Sequence, residues 1–256
     1  MRFVPAVVLA LLAVASAPAC AIQDEIQVYT DDIDKPGENG LEMHINSTPR
    51  GRKTPDYPGE VPPSRGMRLT PEFSRGLTQT LEAGLYLPVT TDAANDVRGG
   101  GYKLRLKWMP LRGDEASGGW YFGTNHELGW LRKTFSDVQR EYELRVIGGF
   151  RADRWLIGAN VILGRGLSSG SPASPDATVA WKAVREVVHG VSLGAEYYQD
   201  IGTLSQRLPR EQQGRALYGI VELDQGAWEL NLGLGHGITA ATDNWTLKAI
   251  VGVTFR

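Results

Sequence analysis

Apolar and polar residues alternate with a period of two along most of this chain, and no other feature constrains its fold as strongly. In the last stretch, WTLKAIVGVTFR (245–256), every second residue from Trp245 to Phe255 is apolar. Successive side chains of a β-strand point to opposite faces, whereas a helix would scatter these residues around its axis. The chain is therefore predicted to be all-β, with one apolar and one polar face on its strands.

About twelve segments carry this pattern. Their approximate ranges are 41–46, 66–75, 81–87, 102–108, 120–130, 141–150, 155–164, 177–187, 191–198, 214–223, 228–235 and 245–256. The alternation is weaker at 66–75, 177–187 and 214–223. Short links such as Ala152-Asp153 alternate with long links rich in Pro, Gly, Ser and charge, such as 47–66. Alternating short turns and long loops are typical of outer-membrane barrels.

The beginning of the chain has the composition of an export signal. Residues 1–21 contain one cation, then an apolar run, then the small residues Ala19-Cys20-Ala21, as in a cleavable secretory signal. A membrane-anchoring helix, or a lipoprotein whose first residue is Cys20, are the alternatives. Residues 22–38 are acidic and are predicted to be a periplasmic lead-in, and residues 39–256 the barrel. After cleavage no cysteine remains, so the mature chain is expected to contain no disulfide.

Two architectures accommodate twelve alternating strands. A soluble sandwich or lipocalin-like barrel buries the apolar face, whereas a membrane barrel turns it toward lipid and its charges toward the lumen. Tryptophans favour the membrane barrel, since most lie near predicted strand ends, as in an interfacial girdle. They are Trp108, Trp120, Trp130, Trp155, Trp228 and Trp245. The prediction is a transmembrane antiparallel up-and-down β-barrel in a Gram-negative outer membrane, whose last strand pairs with the first.

Four stretches resemble a family of proteobacterial outer-membrane barrels. They are EIQVYTDDIDKPGENGLEMHIN, KLRLKWMP, GWYFGTNHELGW and LGLGHGITAATDNWTLKAIVGVTFR. The resemblance covers most of the chain after residue 21 and implies the architecture and the outer-membrane location, with lipid and lipopolysaccharide as neighbours. It supplies no substrate and no catalytic residue. Residues 245–256 also resemble the strand that the barrel-assembly machinery recognises, although here Phe255 is penultimate and Arg256 follows.

Charged and amide residues on the polar faces are the candidate site. Because a charge on the lipid side costs about 2–4 kcal/mol at the midplane, these residues are expected to face the lumen. They are Glu82, Lys103, Arg105, Lys107, Asn125, Glu127, Glu143, Arg145, Asn160, Glu196, Glu229, Asn231 and Lys248. Basic and acidic ladders could form a constriction with a transverse field, or a salt-bridged network that fills the lumen. The glycines on the same faces favour open space, or alternatively let the strands coil.

Other chemistries have weaker support. Lipid-hydrolysing barrels place a His and a Ser two residues apart, and neither His44-Ile45-Asn46 nor Asn125-His126-Glu127 fits. Four separated histidines predict no metal site and no cofactor, and a net charge of -2 gives no reason to expect nucleic acid. The predicted function is a passive channel for small polar solutes. A lipid-modifying enzyme, or a closed barrel that binds through loop 47–66, are the alternatives.

Overall fold

The computed structural model describes residues 25–114 and 117–256, so the predicted signal at 1–21 lies outside the described residues. The described chain is a succession of antiparallel strands. They are β1 (Asn39–Arg50), β2 (Met67–Gly76), β3 (Leu81–Tyr86), β4 (Val89–Thr91), β5 (Val97–Gly99), β6 (Gly101–Leu111), β7 (Gly119–Leu131), β8 (Arg140–Ala152), β9 (Trp155–Gly166), β10 (Asp176–Val188), β11 (Val191–Thr203), β12 (Arg215–Asp224), β13 (Trp228–Gly237) and β14 (Trp245–Phe255). Among these residues there is no helix with the length and apolar character needed to cross a bilayer.

The strands close into a barrel because β1 pairs with both β14 and β2. Twelve strands form the ring, in sequence order, and β4 and β5 are short additions. On the closing seam Leu41 lies opposite Val253, and Ile45 lies opposite Ala249. The predictions of an all-β barrel of about twelve strands, closed by its first and last strands, are confirmed.

Residues 89–100, between the predicted strands 81–87 and 102–108, contain two short strands that the alternation does not predict. After β3 ends at Tyr86, the chain pairs with β2 again as β4 and then turns back as β5. Pro88 separates the two strands. Since proline has no N–H to donate to a ladder, the break falls at this residue.

The two faces of the wall differ as predicted. Outward side chains such as Leu104, Leu106 and Leu247 are exposed on the barrel surface, while their inward neighbours Arg105 and Lys248 are buried. Of the six girdle tryptophans, Trp108, Trp120, Trp155 and Trp228 lie toward the short turns, and Trp130 and Trp245 toward the long loops. The apolar band therefore has an aromatic belt at each end. These ends are called the short-turn end and the long-loop end below.

Two of the weakly patterned strands have apolar residues on both faces, although Lys182 of β10 and Glu222 of β12 also form an ion pair inside the barrel. On β10 the inward residues Ala180 and Val184 are buried, while Trp181 points outward and is 52% exposed. On β12 Ile220 is buried inside and Leu217 is exposed outside. This doubly apolar composition blurred the alternation at 177–187 and 214–223, and it shows that part of the lumen is not water-facing.

The outward face can be tested with two substitutions on β6. Leu106 lies at the middle of the strand and Leu111 at its end, and both are exposed. We expect Leu106→Arg to lower the free energy of unfolding in lipid vesicles by about 2–4 kcal/mol, and Leu111→Arg by about 1 kcal/mol or less. Denaturant titration followed by tryptophan fluorescence measures both. An equal loss of unfolding free energy in the two variants would contradict an outer face that contacts lipid.

Candidate functional site in the barrel interior

The predicted lumen residues lie where the strand pattern placed them. Glu143 and Asn231 are half-buried, and Glu229 is exposed at the short-turn end. The others are buried in the interior: Glu82, Lys103, Arg105, Lys107, Asn125, Glu127, Arg145, Asn160, Glu196 and Lys248.

Acids and bases in the interior pair with near neighbours. A guanidinium nitrogen of Arg105 lies 2.5 Å from carboxylate oxygens of both Glu72 and Glu82. The ammonium of Lys248 lies 2.5 Å from Glu196 Oε2. A buried charge is costly unless it is paired and hydrogen-bonded. This network therefore explains how the inner wall tolerates so many charged side chains. The transverse field between opposed ladders stays a prediction.

The interior also holds the beginning of the described chain. We call residues 25–38 the N-terminal segment. Ile26, Val28 and Tyr29 are each at most 5% exposed. At the short-turn end the segment leaves the interior, where the N–H of Gly37 donates to the Gly76 carbonyl at 2.8 Å. The sequence predicts residues 22–38 as a lead-in ahead of the barrel and does not indicate this position inside it.

Side chains of the wall hold the backbone of the N-terminal segment. Asn160 accepts a hydrogen bond from Tyr29 N–H at 2.7 Å and donates one to the Tyr29 carbonyl at 2.9 Å. Lys248 donates to the Ile26 carbonyl at 3.0 Å, and Arg145 donates to the Gln27 carbonyl at 3.1 Å. A buried backbone that is not part of a β-sheet needs other hydrogen-bond partners for its N–H and C=O groups. The predicted lumen residues therefore act as ligands for this segment.

The acidic half of the segment meets cations at the short-turn end. An Arg151 nitrogen lies 2.6 Å from Asp31 Oδ1 and 2.9 Å from Asp32 Oδ1. Lys107 donates to the Asp32 carbonyl at 2.5 Å. Burial raises the pKa of Asp34, although a hydrogen bond from Ser74 Oγ acts in the opposite direction. Charge complementarity thus explains why a segment that enters the barrel is acidic.

The apolar half of the segment packs on the doubly apolar strands. Ile26 and Val28 belong to one buried cluster with Ala180, Val184 and Ile220. Beyond them, Tyr29 packs with Met109, Tyr121 and Ile147 in a second cluster. Burial of an Ile or Val side chain contributes about 1.5–3 kcal/mol. Hydrophobic contacts therefore stabilise the N-terminal segment in addition to the hydrogen bonds to its backbone.

Inward glycines make room for neighbouring side chains. A methyl group at Gly84 would lie 2.6 Å from Arg105 Nε, and one at Gly233 would lie 2.8 Å from the Lys248 chain. At Gly158 it would meet the Tyr121 hydroxyl at 2.8 Å. The expectation that these glycines indicate open space was wrong. They allow long side chains from nearby strands to lie flat against the wall.

Open space remains at the short-turn end. A cavity of about 570 Å³ extends inward from this end to Glu42, Glu72 and Arg105, and the N-terminal segment forms part of its lining. Ten acidic and seven basic residues line it. This cavity is therefore polar, accessible from one end and mildly acidic.

At the other end, loop 51–66 extends across the mouth. The N–H of Val61 donates to the Thr134 carbonyl at 3.2 Å in the β7–β8 loop, and the N–H of Arg52 donates to Asp243 Oδ1 at 2.9 Å in the β13–β14 loop. Arg52 also forms a two-pronged ion pair with the buried Glu60, at 2.8 and 2.9 Å. The Pro-rich loop is thus tied to the barrel mouth.

His126 lies on the outer face with two hydroxyl partners. Its Nε2 is 3.2 Å from Thr124 Oγ1, and its Nδ1 is 2.7 Å from the Tyr142 hydroxyl. Thr124 is a possible nucleophile that the His-x-Ser pattern does not identify. However, Thr124 and His126 lie mid-strand with pairing strands on both sides. The two hydroxyls occupy both ring nitrogens of His126, and Thr124 rather than a serine lies two residues from it, unlike the His-x-Ser pair of lipid-hydrolysing barrels.

Comparisons with known proteins agree at the level of fold. No protein-family model matches the sequence, and no curated protein matches it. The structure is similar to that of an outer-membrane channel from Pseudomonas putida F1, with a TM-score of 0.57 and 12% identity over 88% of this chain and 97% of that one. It is also similar to the KdgM porin, with a TM-score of 0.52 and 9% identity over 85% of this chain and 98% of that one. The chain therefore has the fold of outer-membrane barrels.

The contribution of the wall's hydrogen bonds to holding the N-terminal segment can be tested at Asn160. Asn160→Ala removes both hydrogen bonds to Tyr29, each worth about 0.5–1.5 kcal/mol. We expect hydrogen–deuterium exchange in residues 26–31 to accelerate on the order of tenfold or more. Asn125→Ala is the matched control, because that buried amide donates to Glu127 instead. Equal exchange in both variants and the parent would contradict this role of Asn160.

Proposed function

We propose that the protein is a passive outer-membrane channel for small polar solutes, with the N-terminal segment occupying its lumen in the described conformation. The observation that carries the proposal is the polar cavity of about 570 Å³, open at one end of a charged barrel. The fold supports it, since both similar structures are named as a channel or a porin. Loss or movement of residues 25–34 would join the cavity to the rest of the interior.

The charges of the cavity favour cationic or neutral solutes. Acidic residues outnumber basic ones in its lining, and Glu229 is exposed there. A second KdgM porin structure, with a TM-score of 0.50, contains oligogalacturonate, an acidic sugar chain. Because like charges repel in a narrow pore, an anionic solute of that kind fits the present cavity poorly.

The route to the membrane is part of the same proposal. Residues 1–21 would direct export and be removed, and the alternating strand 245–256 would be read by the barrel-assembly machinery. Lipopolysaccharide and phospholipid would then surround the apolar band. The lipid-hydrolase alternative has less support, because His126 contacts Thr124 and Tyr142 and has no serine two residues away.

Planar-bilayer recordings test the channel. Protein without residues 1–21 is compared with a variant that also lacks residues 25–34. We expect small or intermittent conductance from the first and larger, steadier conductance from the second, because the segment fills the interior. Deletion of residues 167–174, in the β9–β10 loop, is the control and should change little. Silence from every variant at every voltage would remove the channel proposal.

Ion selectivity tests the charge of the cavity. With a salt gradient, the reversal potential should indicate a preference for cations, and Glu229→Lys should reduce it, because Glu229 lines the open cavity. Glu211→Lys makes the same charge change in a long loop, away from the cavity lining. Anion preference in the parent, or equal shifts in the two variants, would contradict the proposed path.

A further inference from the structure

Three possible metal ligands converge on the inner wall where β1 pairs with β2. Glu42 and Glu72 lie directly opposite each other in the strand register, and His44 is two residues farther along β1. Its Nε2 is 3.2 Å from Glu72 Oε2 and 3.5 Å from Glu42 Oε2. The side chains of His44 and Glu72 are 1% and 4% exposed. These residues form a compact cluster of one imidazole and two carboxylates.

The carboxylates of this cluster carry negative charge that either a cation or a proton can offset. Carboxylates directly opposite on paired strands repel each other. Glu42 Oε2 is buried and has no hydrogen-bond partner among the described residues. Glu82 adds a third carboxylate nearby, and Arg105, which binds both Glu72 and Glu82, supplies one positive charge. A divalent cation beside a neutral His44 would bring these five groups to neutrality.

The three ligand atoms lie within 4.8 Å of one another, and the two separations from His44 Nε2 suit a single ion. Nitrogen and oxygen ligands lie about 2.0–2.2 Å from zinc, so neighbouring ligands of a tetrahedral ion lie about 3.3–3.6 Å apart. The separations from Nε2, 3.2 and 3.5 Å, are close to that range. Arg105 holds Glu72 through Oε1, at 2.5 Å, which leaves Oε2 directed at His44. Such a partner typically orients a metal-binding carboxylate.

We propose that Glu42, His44 and Glu72 bind a divalent transition-metal ion of the zinc type. The imidazole favours zinc and related ions over magnesium and calcium, which prefer oxygen ligands alone. Glu42 and Glu72 line the cavity, so the ion can enter from the short-turn end, and water can complete its coordination. The site stands independently of the channel proposal, since binding requires no conduction.

The sequence did not reveal this cluster because its ligands come from two strands. Glu42 and His44 share β1, but Glu72 follows almost thirty residues later and joins them only through the register of β1 and β2. A protonated His44 between two carboxylates is the competing arrangement. It would balance one charge with a proton, which zinc would have to displace in order to bind His44.

Calorimetric titration with zinc decides between them. Protein without residues 1–21, folded in detergent and stripped with a chelator, should bind one zinc ion per chain and bind magnesium far more weakly. His44→Gln and Glu42→Gln should each weaken zinc binding by about tenfold or more. His126→Gln and His236→Gln are matched controls, since these residues lie on the outer face and near a long loop. Cobalt bound at the site should give a visible absorption band that His44→Gln abolishes.

Folding of the variants is checked by circular dichroism. Glu42 is half-buried, so Glu42→Gln keeps the test decisive if His44→Gln fails to fold. Loss of the site in either folded variant, with both controls unchanged, supports the proposal. Absence of stoichiometric zinc binding, or equal affinity in the parent and Glu42→Gln, would overturn it.

Discussion

Closure of the strand ladder is the constraint on which the rest of the structure depends. In hydrocarbon an unpaired backbone group costs several kcal/mol, so strands cross a membrane only when the first and last are joined. Here β1 pairs along its length with β14 and β2, from Asn39 opposite Phe255 to Asn46 opposite Lys248. Once the ring is closed, successive side chains of each strand point alternately to the barrel interior and to the outside. Leucine can then face lipid next to a buried arginine on the same strand.

The interior created by closure is filled largely by the chain itself. Lysine, arginine and asparagine side chains of the wall bind carbonyls of the N-terminal segment, and Ile26 and Val28 cover the apolar inner faces of β10 and β12. Glycines on the wall let long side chains lie beneath the segment. One end keeps a polar cavity. The same residues that suggest a channel thus also hold the segment that occupies it.

Much of this architecture could be predicted from local sequence, because alternate residues of a strand face lipid and the interior and differ in polarity accordingly. The period identified the twelve strands, the faces and the inward position of Asn160 and Lys248. The segment's location was not predictable in this way, because Tyr29 meets Asn160 across more than a hundred residues and leaves no periodic trace. The weak alternation at 177–187 and 214–223 was the only indirect indication of the segment, because the inward apolar residues of these strands pack against it. The approach of Glu72 to His44 likewise depends on strand register.

A cysteine cross-link tests most directly whether the N-terminal segment lies inside the barrel. The chain's one cysteine, Cys20, precedes Ile22, so protein without residues 1–21 provides a clean background. Val28 and Val184 pack in one buried cluster, whereas Val221 faces outward on β12. Oxidation of Val28→Cys with Val184→Cys in folded protein is expected to form an intramolecular disulfide, and Val28→Cys with Val221→Cys to form none. No cross-link in the first pair, or equal yields in both, would contradict the account.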